Sequence, residues 1–289
     1  MKIQKLTKNN LGRDFVCGDI HGSFSCVQKF LDSIKFDTSR DRLICTGDIV
    51  DRGPENEKCL ELLREPWFFA VKGNHEELME DYFYHGVGGS VNWWLENGGH
   101  WGVSYHKDGS DLAAMVRDLL ETKVKQLPFL ITVERQDDKK FHVIHAEIRP
   151  TAQNPHITDK TLECEKEFED VSSTLTMDGH TITWGRFIFI DFYKKQLDGR
   201  EISKANRRIS LKKNDGIFND DLSHIYSGHT IVTRPLRFFG QTNLDTQAYG
   251  SYQINPKDWC GLTITEPLTD RFWFCNDREF RETEPVVIT

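Results

Sequence analysis

The sequence lacks the features that mark membrane, secreted and low-complexity proteins. None of its windows approaches the ~20 consecutive apolar residues that a membrane-spanning helix needs, and it has no internal repeat and no biased tract. The N-terminal residues carry lysines but no apolar stretch of the kind found in secretory signals. We therefore expect a globular protein that has no membrane partner.

Disulfide-forming and zinc-binding patterns of cysteine are also missing. The seven cysteines are widely scattered and include no Cys-x-x-Cys pair, so they provide neither a disulfide framework nor a cysteine zinc site. Cys17 and Cys45 lie inside apolar runs, where a free thiol packs as a small hydrophobic group. This usage favours a reduced, cytoplasmic protein over a secreted one.

Positive charge is in short supply. The chain has 37 Lys and Arg residues against 45 Asp and Glu, a formal net charge of -8, which provides no overall basic field for nucleic acid. The segment 194–213 is a local exception, with eight basic residues against two acids. The simpler interpretation is that this segment is a solvated loop. The alternative is that its local charge attracts a phosphorylated protein or a nucleic acid. The acidic segment 159–170 could instead pair with these basic residues within the same chain.

The first half of the chain alternates apolar strands with amphipathic helices. Three strands are each followed by a helix: 15–17 by 24–35, 43–46 by 55–65, and 67–71 by 76–84. The helices show apolar residues at the i, i+3, i+4 spacing of one buried face. This alternation predicts a layered α/β sheet, in which ligands bind at the carboxyl ends of the strands.

The remainder of the chain is less regular. A helix around 112–124 precedes two strands, 129–133 and 141–144, which a short polar stretch joins as a hairpin. From about 150 to 222 the hydrophobic pattern is weak, and we interpret this segment as an elaborated surface insert in a single domain of residues 1–289. The C-terminal part returns to strand-like alternation at 225–226, 236–239, 248–252 and 272–274.

Polar loops follow the first three strands. They read Gly-Asp-Ile-His-Gly at 18–22, Gly-Asp-Ile-Val-Asp-Arg-Gly at 47–53, and Gly-Asn-His-Glu at 73–76. Since neighbouring strands lie ~4.8 Å apart, Asp19, Asp48 and Asn74 at successive strand ends can converge on one small volume. Carboxylates packed there would repel each other and be poorly solvated without a cation. The pattern therefore predicts a metal site.

Histidines offer nitrogen ligands to the same site. Asp19 and His21 are two residues apart, so that on an extended exit from the strand both side chains face one side. His145 and His229 each follow an apolar run and can complete a two-cation site. A lone histidine at such a position is more often structural, but three loops that call for nitrogen ligands favour metal binding. Imidazole with carboxylate suits Mn, Fe or Zn better than Ca or Mg.

In this order and spacing, the motifs GD-x-HG, GD-x-VDRG and GNHE, followed by separate histidines, resemble those of the metallophosphoesterase superfamily. The sequences DRGP at 51–54 and Trp-Gly-Arg at 184–186 narrow the resemblance to the PPP group, and within it to bacteriophage lambda-type and bacterial serine/threonine protein phosphatases. The resemblance is dense over residues 14–76 and consists of islands beyond them. It implies a calcineurin-like α/β fold, a central β-sandwich flanked by helices, in place of the simple layered sheet.

The resemblance also implies a role for each matching residue. A first metal ion would be held by Asp19 and His21, a second by Asn74, His145 and His229, with Asp48 bridging both. His75 would be the general acid, oriented by Asp51. The phosphate would be bound by Arg52, Arg186 and Asn74. The implied cofactors are two divalent ions, with Mn2+ favoured over Fe and Zn.

The implied activity is hydrolysis of phosphomonoesters, foremost phosphoserine and phosphothreonine in proteins, with dual specificity as an extension. Two alternatives stay open: a hydrolase of dinucleoside tetraphosphates or other nucleotides, and an inactive interaction protein that its metals stabilise. Lys72 and Glu147 depart from the pattern of the family. These departures leave the metal site intact and bear on the identity of the substrate.

Overall fold

The computed structural model describes residues 2–85, 89–106, 108–173, 179–186, 220–238, 240–253 and 257–288. Within these residues the chain forms two β-sheets with helices on the outer face of each. This arrangement confirms the sandwich fold that the resemblance implies. The basic segment 194–213, and with it much of the expected insert at 150–222, lies outside the described residues.

The described residues form thirteen strands and eight α-helices. The strands are β1 (Ile3–Leu6), β2 (Asp14–Cys17), β3 (Arg42–Cys45), β4 (Phe68–Ala70), β5 (Leu130–Glu134), β6 (Lys140–Val143), β7 (His224–Ser227), β8 (Leu236–Phe238), β9 (Gln241–Asn243), β10 (Leu262–Glu266), β11 (Arg271–Cys275), β12 (Phe280–Thr283) and β13 (Val286–Ile288). The helices are α1 (Phe24–Ser33), α2 (Asn56–Glu61), α3 (Asn74–His85), α4 (Gly89–Glu96), α5 (Asp111–Thr122), α6 (Asp159–Glu163), α7 (Glu165–Ser172) and α8 (Thr181–Trp184).

The strands divide into a seven-stranded and a six-stranded sheet. The first has the order β1-β5-β6-β7-β9-β8-β13 and the second β12-β11-β10-β2-β3-β4. The predicted hairpin is confirmed, because β5 and β6 pair antiparallel with Ile131 opposite Val143. The predicted helices of the first half are also present, with ends that differ by a few residues from those expected.

Alternation of side chains along the strands separates three apolar layers. On β2, Phe15 and Cys17 pack with the helices outside the six-stranded sheet, whereas Val16 packs between the two sheets. On β5, Ile131 faces the same inner layer, whereas Leu130 faces the outside of the seven-stranded sheet. The order of layers is therefore helix, sheet, sheet, helix.

The described part of the weakly patterned segment contributes an apolar cluster of its own. Helices α6, α7 and α8 supply Leu162, Phe168, Val171 and Ile182, which pack against Leu130 on the outer face of the seven-stranded sheet. These helices are short and α6 and α7 are rich in acids, so few apolar residues stand out in their sequence. That composition explains why the hydrophobic pattern of this segment is weak.

Parallel pairing brings the polar loops to one place. Strands β2, β3 and β4 are parallel neighbours, so the three glycine-led loops follow their carboxyl ends at one edge of the six-stranded sheet. In the other sheet β6 and β7 are also parallel, and they are followed by His145 and His229. Five loops from two sheets thus supply the candidate site.

The strand expected at 248–252 is wrong. Residues Ala248–Tyr252 form a short 3-10 helix instead. Gln247 adopts a left-handed φ of 58°, and its N–H donates to the Asp245 carboxylate at 2.9 Å, so the chain turns rather than extends. The turn places Tyr249 against His21, with ring centroids 5.3 Å apart.

Asp159 ties the outer helices to the seven-stranded sheet. Its carboxylate accepts hydrogen bonds from the Ser223 N–H at 2.7 Å and from His142 Nε2 at 2.9 Å. Burial acts to raise the pKa of Asp159, but the hydrogen bonds from His142 and Ser223 outweigh burial and lower it to about 2. The carboxylate therefore stabilises the fold in its ionised form.

We expect Asp159→Asn to lower the free energy of unfolding by about 1–2 kcal/mol at pH 7, because the folded state holds the carboxylate below its unfolded pKa of about 3.9. This stability is present above that pKa and is lost as the pH falls toward 2. Urea unfolding at pH 7 and pH 3 measures both effects, with the exposed Asp220→Asn as the control. A deficit of the same size at both pH values would contradict the assignment.

Candidate metal centre

Three electron-pair donors meet where β4, β6 and β7 end. Asn74 Oδ1 lies 2.9 Å from His145 Nε2 and 2.9 Å from His229 Nδ1, and the two ring nitrogens are 3.2 Å apart. Asp48 Oδ1 lies 3.4 Å from His145 Nε2. His145 Nδ1 lies 2.8 Å from the Thr46 carbonyl and so carries the ring proton. Its Nε2 therefore presents a lone pair to the other donors, which suits a shared cation.

A second group of donors shares the same carboxylate. His21 Nε2 and His75 Nε2 lie 3.5 and 3.8 Å from Asp48 Oδ2. His21 Nδ1 donates to the Val50 carbonyl at 2.9 Å, which leaves a lone pair on Nε2. That lone pair accepts from the Arg52 guanidinium at 3.0 Å, and this exposed side chain has to swing away for a metal ion to bind His21. Asp48 thus lies between two potential ligand groups.

Among the described residues, Asp19 belongs to neither group. Its Oδ1 accepts from the Thr46 hydroxyl at 2.7 Å and its Oδ2 from the His229 N–H at 2.8 Å. His21 has a left-handed φ of 46°, so the expectation of an extended exit from β2 is wrong. Asp19 is nonetheless buried at the centre of the five loops, where it connects the β3 and β7 loops.

The buried site is rich in carboxylates and poor in positive charge. Burial lowers the pKa of His21, His145 and His229 below the usual range, so these three rings are neutral at pH 7. Burial, with Asp48 nearby, raises the pKa of Asp245 to about 6 and of Glu76 to about 7. Bound divalent cations would relieve this crowding of negative charge, so the donor set fits the metal ions that the family implies.

A histidine and an aspartate form a buried pair beside the metal groups. His75 Nδ1 lies 2.6 Å from Asp51 Oδ2, and both side chains are fully buried. The His75 N–H donates to Asp48 Oδ1 at 3.0 Å. His75 Nε2 has no hydrogen-bond partner in the described part of the chain. Because Nδ1 is engaged by the carboxylate, Nε2 is the atom free to meet a substrate.

The two candidate phosphate-binding arginines lie beside the histidines. Arg52 lies over the Tyr249 ring, 5.2 Å from its centroid, next to His21. Arg186 donates to the His229 carbonyl at 3.4 Å. The Trp184 ring stacks on Trp93 at 4.7 Å with an interplanar angle of 7°, and it anchors the segment that carries Arg186.

Glu76 is a site residue that the sequence analysis missed. It is fully buried, and its carboxylate accepts hydrogen bonds from the N–H groups of Asp48, Ile49 and Gly73 at 2.8–2.9 Å. These bonds tie the β3 loop to the first turn of α3. A glutamate in the first turn of a helix, three residues after an unpaired N–H, is the signal that identifies it.

The backbone at the site is strained. Five of the nine described non-glycine residues with positive φ are site residues: His21, Asp48, Asp51, Arg52 and His229. Glycine is required where the loops touch, because a Cβ on Gly228 would lie 1.8 Å from Asp19 Oδ1 and one on Gly73 would lie 2.2 Å from Asp48 Oδ1. The loops are packed too closely to relax without moving ligand atoms.

The two departures from the family pattern lie outside the ligand groups. Lys72 is buried, pairs with Glu80 at 2.6 Å and lies over the Phe129 ring, 5.8 Å from its centroid. Glu147 is buried against Gly185, where an added Cβ would lie 2.4 Å from Glu147 Cγ. Lys72 therefore contacts α3 through Glu80, and Glu147 packs against the residue before Arg186.

A model of the calcineurin-like phosphoesterase family matches residues 15–233, about three quarters of the chain. The chain belongs to this family. The phosphoesterase is 29% identical over 251 residues to serine/threonine-protein phosphatase 1 of Salmonella typhimurium, which covers 87% of this chain and 94% of that protein. It is 28% identical over 142 residues to a symmetrical bis(5'-nucleosyl)-tetraphosphatase of Actinobacillus succinogenes, covering 47% of this chain and 44% of that protein.

A solved structure shows the same fold. The cold-active protein-tyrosine phosphatase of a psychrophilic Shewanella species aligns with a TM-score of 0.50 at 15% identity, over 96% of this chain and 82% of that one. Family membership confirms the resemblance and makes the phosphoesterase a hydrolase of phosphoester bonds that uses divalent metal ions. No helix in the described ranges combines the length and the apolar character that crossing a membrane requires.

We expect His229→Ala to reduce the bound divalent metal from about two ions to about one per chain, because His229 Nδ1 faces only the group at Asn74 and His145. Elemental analysis after loading with Mn2+ and dialysis measures the ratio. His156→Ala, which removes an exposed histidine, is the control. Unchanged metal content in His229→Ala would show that this group binds no ion.

Proposed function

We propose that this phosphoesterase is a protein phosphatase that hydrolyses phosphoserine and phosphothreonine with two divalent metal ions. The arrangement that carries the proposal is Asp48 between two groups of nitrogen ligands, with the buried His75–Asp51 pair beside them. Similarity along almost the full length of a serine/threonine-protein phosphatase supports this substrate class. The similarity to the tetraphosphatase covers less than half of either chain.

Six side chains are proposed as the ligands. Asp48 would bridge the ions, and the other five would complete the two sites: Asp19 and His21 on one side, Asn74, His145 and His229 on the other. When bound, the ions supply Lewis-acid stabilisation of phosphoryl oxygens and lower the pKa of a coordinated water. The mixture of imidazole, amide and carboxylate favours Mn2+, with Fe and Zn as the other suitable metals.

The protein side chains would protonate the leaving group and bind the phosphate oxygens. A departing serine or threonine alkoxide is strongly basic, and His75 Nε2 is placed to protonate it while Asp51 holds Nδ1. Arg52 and Arg186 present planar forks that pair with two phosphate oxygens at once. Asn74, whose Oδ1 lies 2.9 Å from ring nitrogens of His145 and His229, is proposed as the third phosphate-binding residue.

The wider setting follows from the same features. We propose one catalytic domain over residues 1–289, in which 150–222 is an insert whose described helices cover the seven-stranded sheet. A cytoplasmic location agrees with seven free cysteines, six of them buried. The proposed substrate is a phosphorylated protein or a smaller phosphoester. For the segment 194–213 the solvated loop stays the simpler interpretation, with a phosphorylated protein or a nucleic acid open as its partner.

His75→Asn should lower kcat on a phosphoserine peptide by ~10²–10⁴-fold, because the alkoxide then leaves without a proton donor. Bound metal should stay at the wild-type level, since Asn74 and Asp48 are untouched. Steady-state kinetics with Mn2+ and elemental analysis give the two readouts, and His156→Asn is the matched control. Loss of metal together with activity would assign His75 to the ligands instead.

The proposed substrate class is tested by measuring kcat/KM on phosphopeptides and on dinucleoside tetraphosphates side by side. Wild-type enzyme with Mn2+ should show a larger kcat/KM on phosphoserine and phosphothreonine peptides than on dinucleoside tetraphosphates, and chelator should abolish both activities. A phosphotyrosine peptide in the same assay tests dual specificity. A larger kcat/KM on the dinucleotide would indicate a nucleotide hydrolase instead. No turnover of any substrate with any divalent metal would favour the third alternative, an inactive interaction protein.

A further inference from the structure

The Asp51 carboxylate receives two hydrogen bonds besides its contact with His75. Trp94 Nε1 donates to Asp51 Oδ2 at 2.9 Å, and Trp101 Nε1 donates to Asp51 Oδ1 at 2.6 Å. The two indoles come from α4 and from the 3-10 helix Gly99–Gly102. Both oxygens of this fully buried side chain are therefore occupied by donors.

The segment that carries the indoles is built for this approach. Gly98 has a left-handed φ of 103°, and a Cβ there would lie 2.7 Å from the Arg52 backbone nitrogen. A Cβ on Gly99 would lie 2.3 Å from the Trp94 ring. Glycine at these two positions lets the backbone lie flat on Trp94 and against the loop that follows β3, which brings both indole N–H groups to one carboxylate.

An indole N–H suits this position for chemical reasons. It donates and never accepts, and it does not titrate in the physiological range, so it cannot take part in the proton transfer itself. A buried indole N–H requires a partner, and here both partners are oxygens of the residue that orients His75. Asp51 has a left-handed φ of 74°, and its N–H donates to Asn56 Oδ1 at 2.7 Å, so the surroundings hold its backbone and the indoles hold its carboxylate.

We propose that Trp94 and Trp101 are positioning residues for the general acid, which clamp the Asp51 carboxylate so that His75 keeps Nε2 directed at the leaving oxygen. The inference rests on the proposed function of His75. With the clamp intact, the imidazole has one orientation, because Asp51 Oδ2 fixes Nδ1. Without it the carboxylate can rotate, and the proton is no longer aimed at the substrate.

The test exploits the difference between leaving groups. An alkoxide needs the proton from His75, whereas nitrophenolate is a weak base and departs almost unaided. We expect Trp101→Phe and Trp94→Phe to lower kcat on a phosphoserine peptide about 10-fold, with KM unchanged, and kcat on p-nitrophenyl phosphate less than about 2-fold. In a His75→Asn background the same changes should cost almost nothing further.

Trp67→Phe is the matched control. Trp67 is a buried indole that donates to Glu65 at 3.0 Å and precedes β4, so it lies at the opposite end of that strand from the metal groups. The same substitution there should change neither substrate's kcat. Equal losses on both phosphoserine and p-nitrophenyl phosphate, or full additivity with His75→Asn, would overturn the proposal by showing that the tryptophans only maintain the fold.

A second measurement is independent of activity. In 1H–15N spectra of the Mg2+-loaded protein, the indole N–H signals of Trp94 and Trp101 should lie downfield and move on Asp51→Asn, while that of Trp67 stays. Indole signals that ignore Asp51→Asn would overturn the clamp whatever the kinetics show. A wild-type enzyme that releases no phosphate from phosphoserine would refute the proposed function alone, and these spectra would then decide the clamp.

Discussion

The buried carboxylate of Asp48 imposes the constraint on which the rest of the site depends. It faces ring nitrogens of His21, His75 and His145 at 3.4–3.8 Å, and the pKa of His21 and of His145 is lowered by burial. An uncompensated buried charge costs several kcal/mol. The loops therefore assemble a centre that divalent cations would complete, and the same cations would supply Lewis-acid chemistry for phosphoester hydrolysis.

Hydrogen bonds hold this arrangement rigid against the strain of its backbone. Left-handed backbone at Asp48, Asp51 and Arg52 costs about 1–3 kcal/mol at each residue. Glu76 offsets part of that strain through three bonds to backbone N–H groups. The indole N–H groups of Trp94 and Trp101 likewise donate to a site residue, the carboxylate of Asp51. Hydrogen-bonded loops at the ends of parallel strands thus hold the proposed acid and metal ligands in place, and Arg52 is the side chain that has to move.

The sequence was informative where local rules decide the structure. Strands β2, β3 and β4 and their loops were predictable, because each apolar run ends in glycine and a polar ligand. His145 and His229, 84 residues apart, could be assigned to the site from the apolar runs before them, but their pairing at one metal ion came only from the resemblance. The extended exit at His21 and the strand at 248–252 were wrong, because the His21 N–H donates to the Asp48 carbonyl and the Gln247 N–H to the Asp245 carboxylate, and these bonds turn the chain. The bonds that Glu76 accepts from the β3 loop, and those that the two indoles donate to Asp51, depend on tertiary contacts that no spacing reveals.

The most direct test of the account is an anomalous difference map from crystals grown with Mn2+. The account predicts two peaks about 3.5–4 Å apart, one on each side of Asp48, with His21 at one and His145 and His229 at the other. A single peak, or peaks that do not touch Asp48, would contradict it.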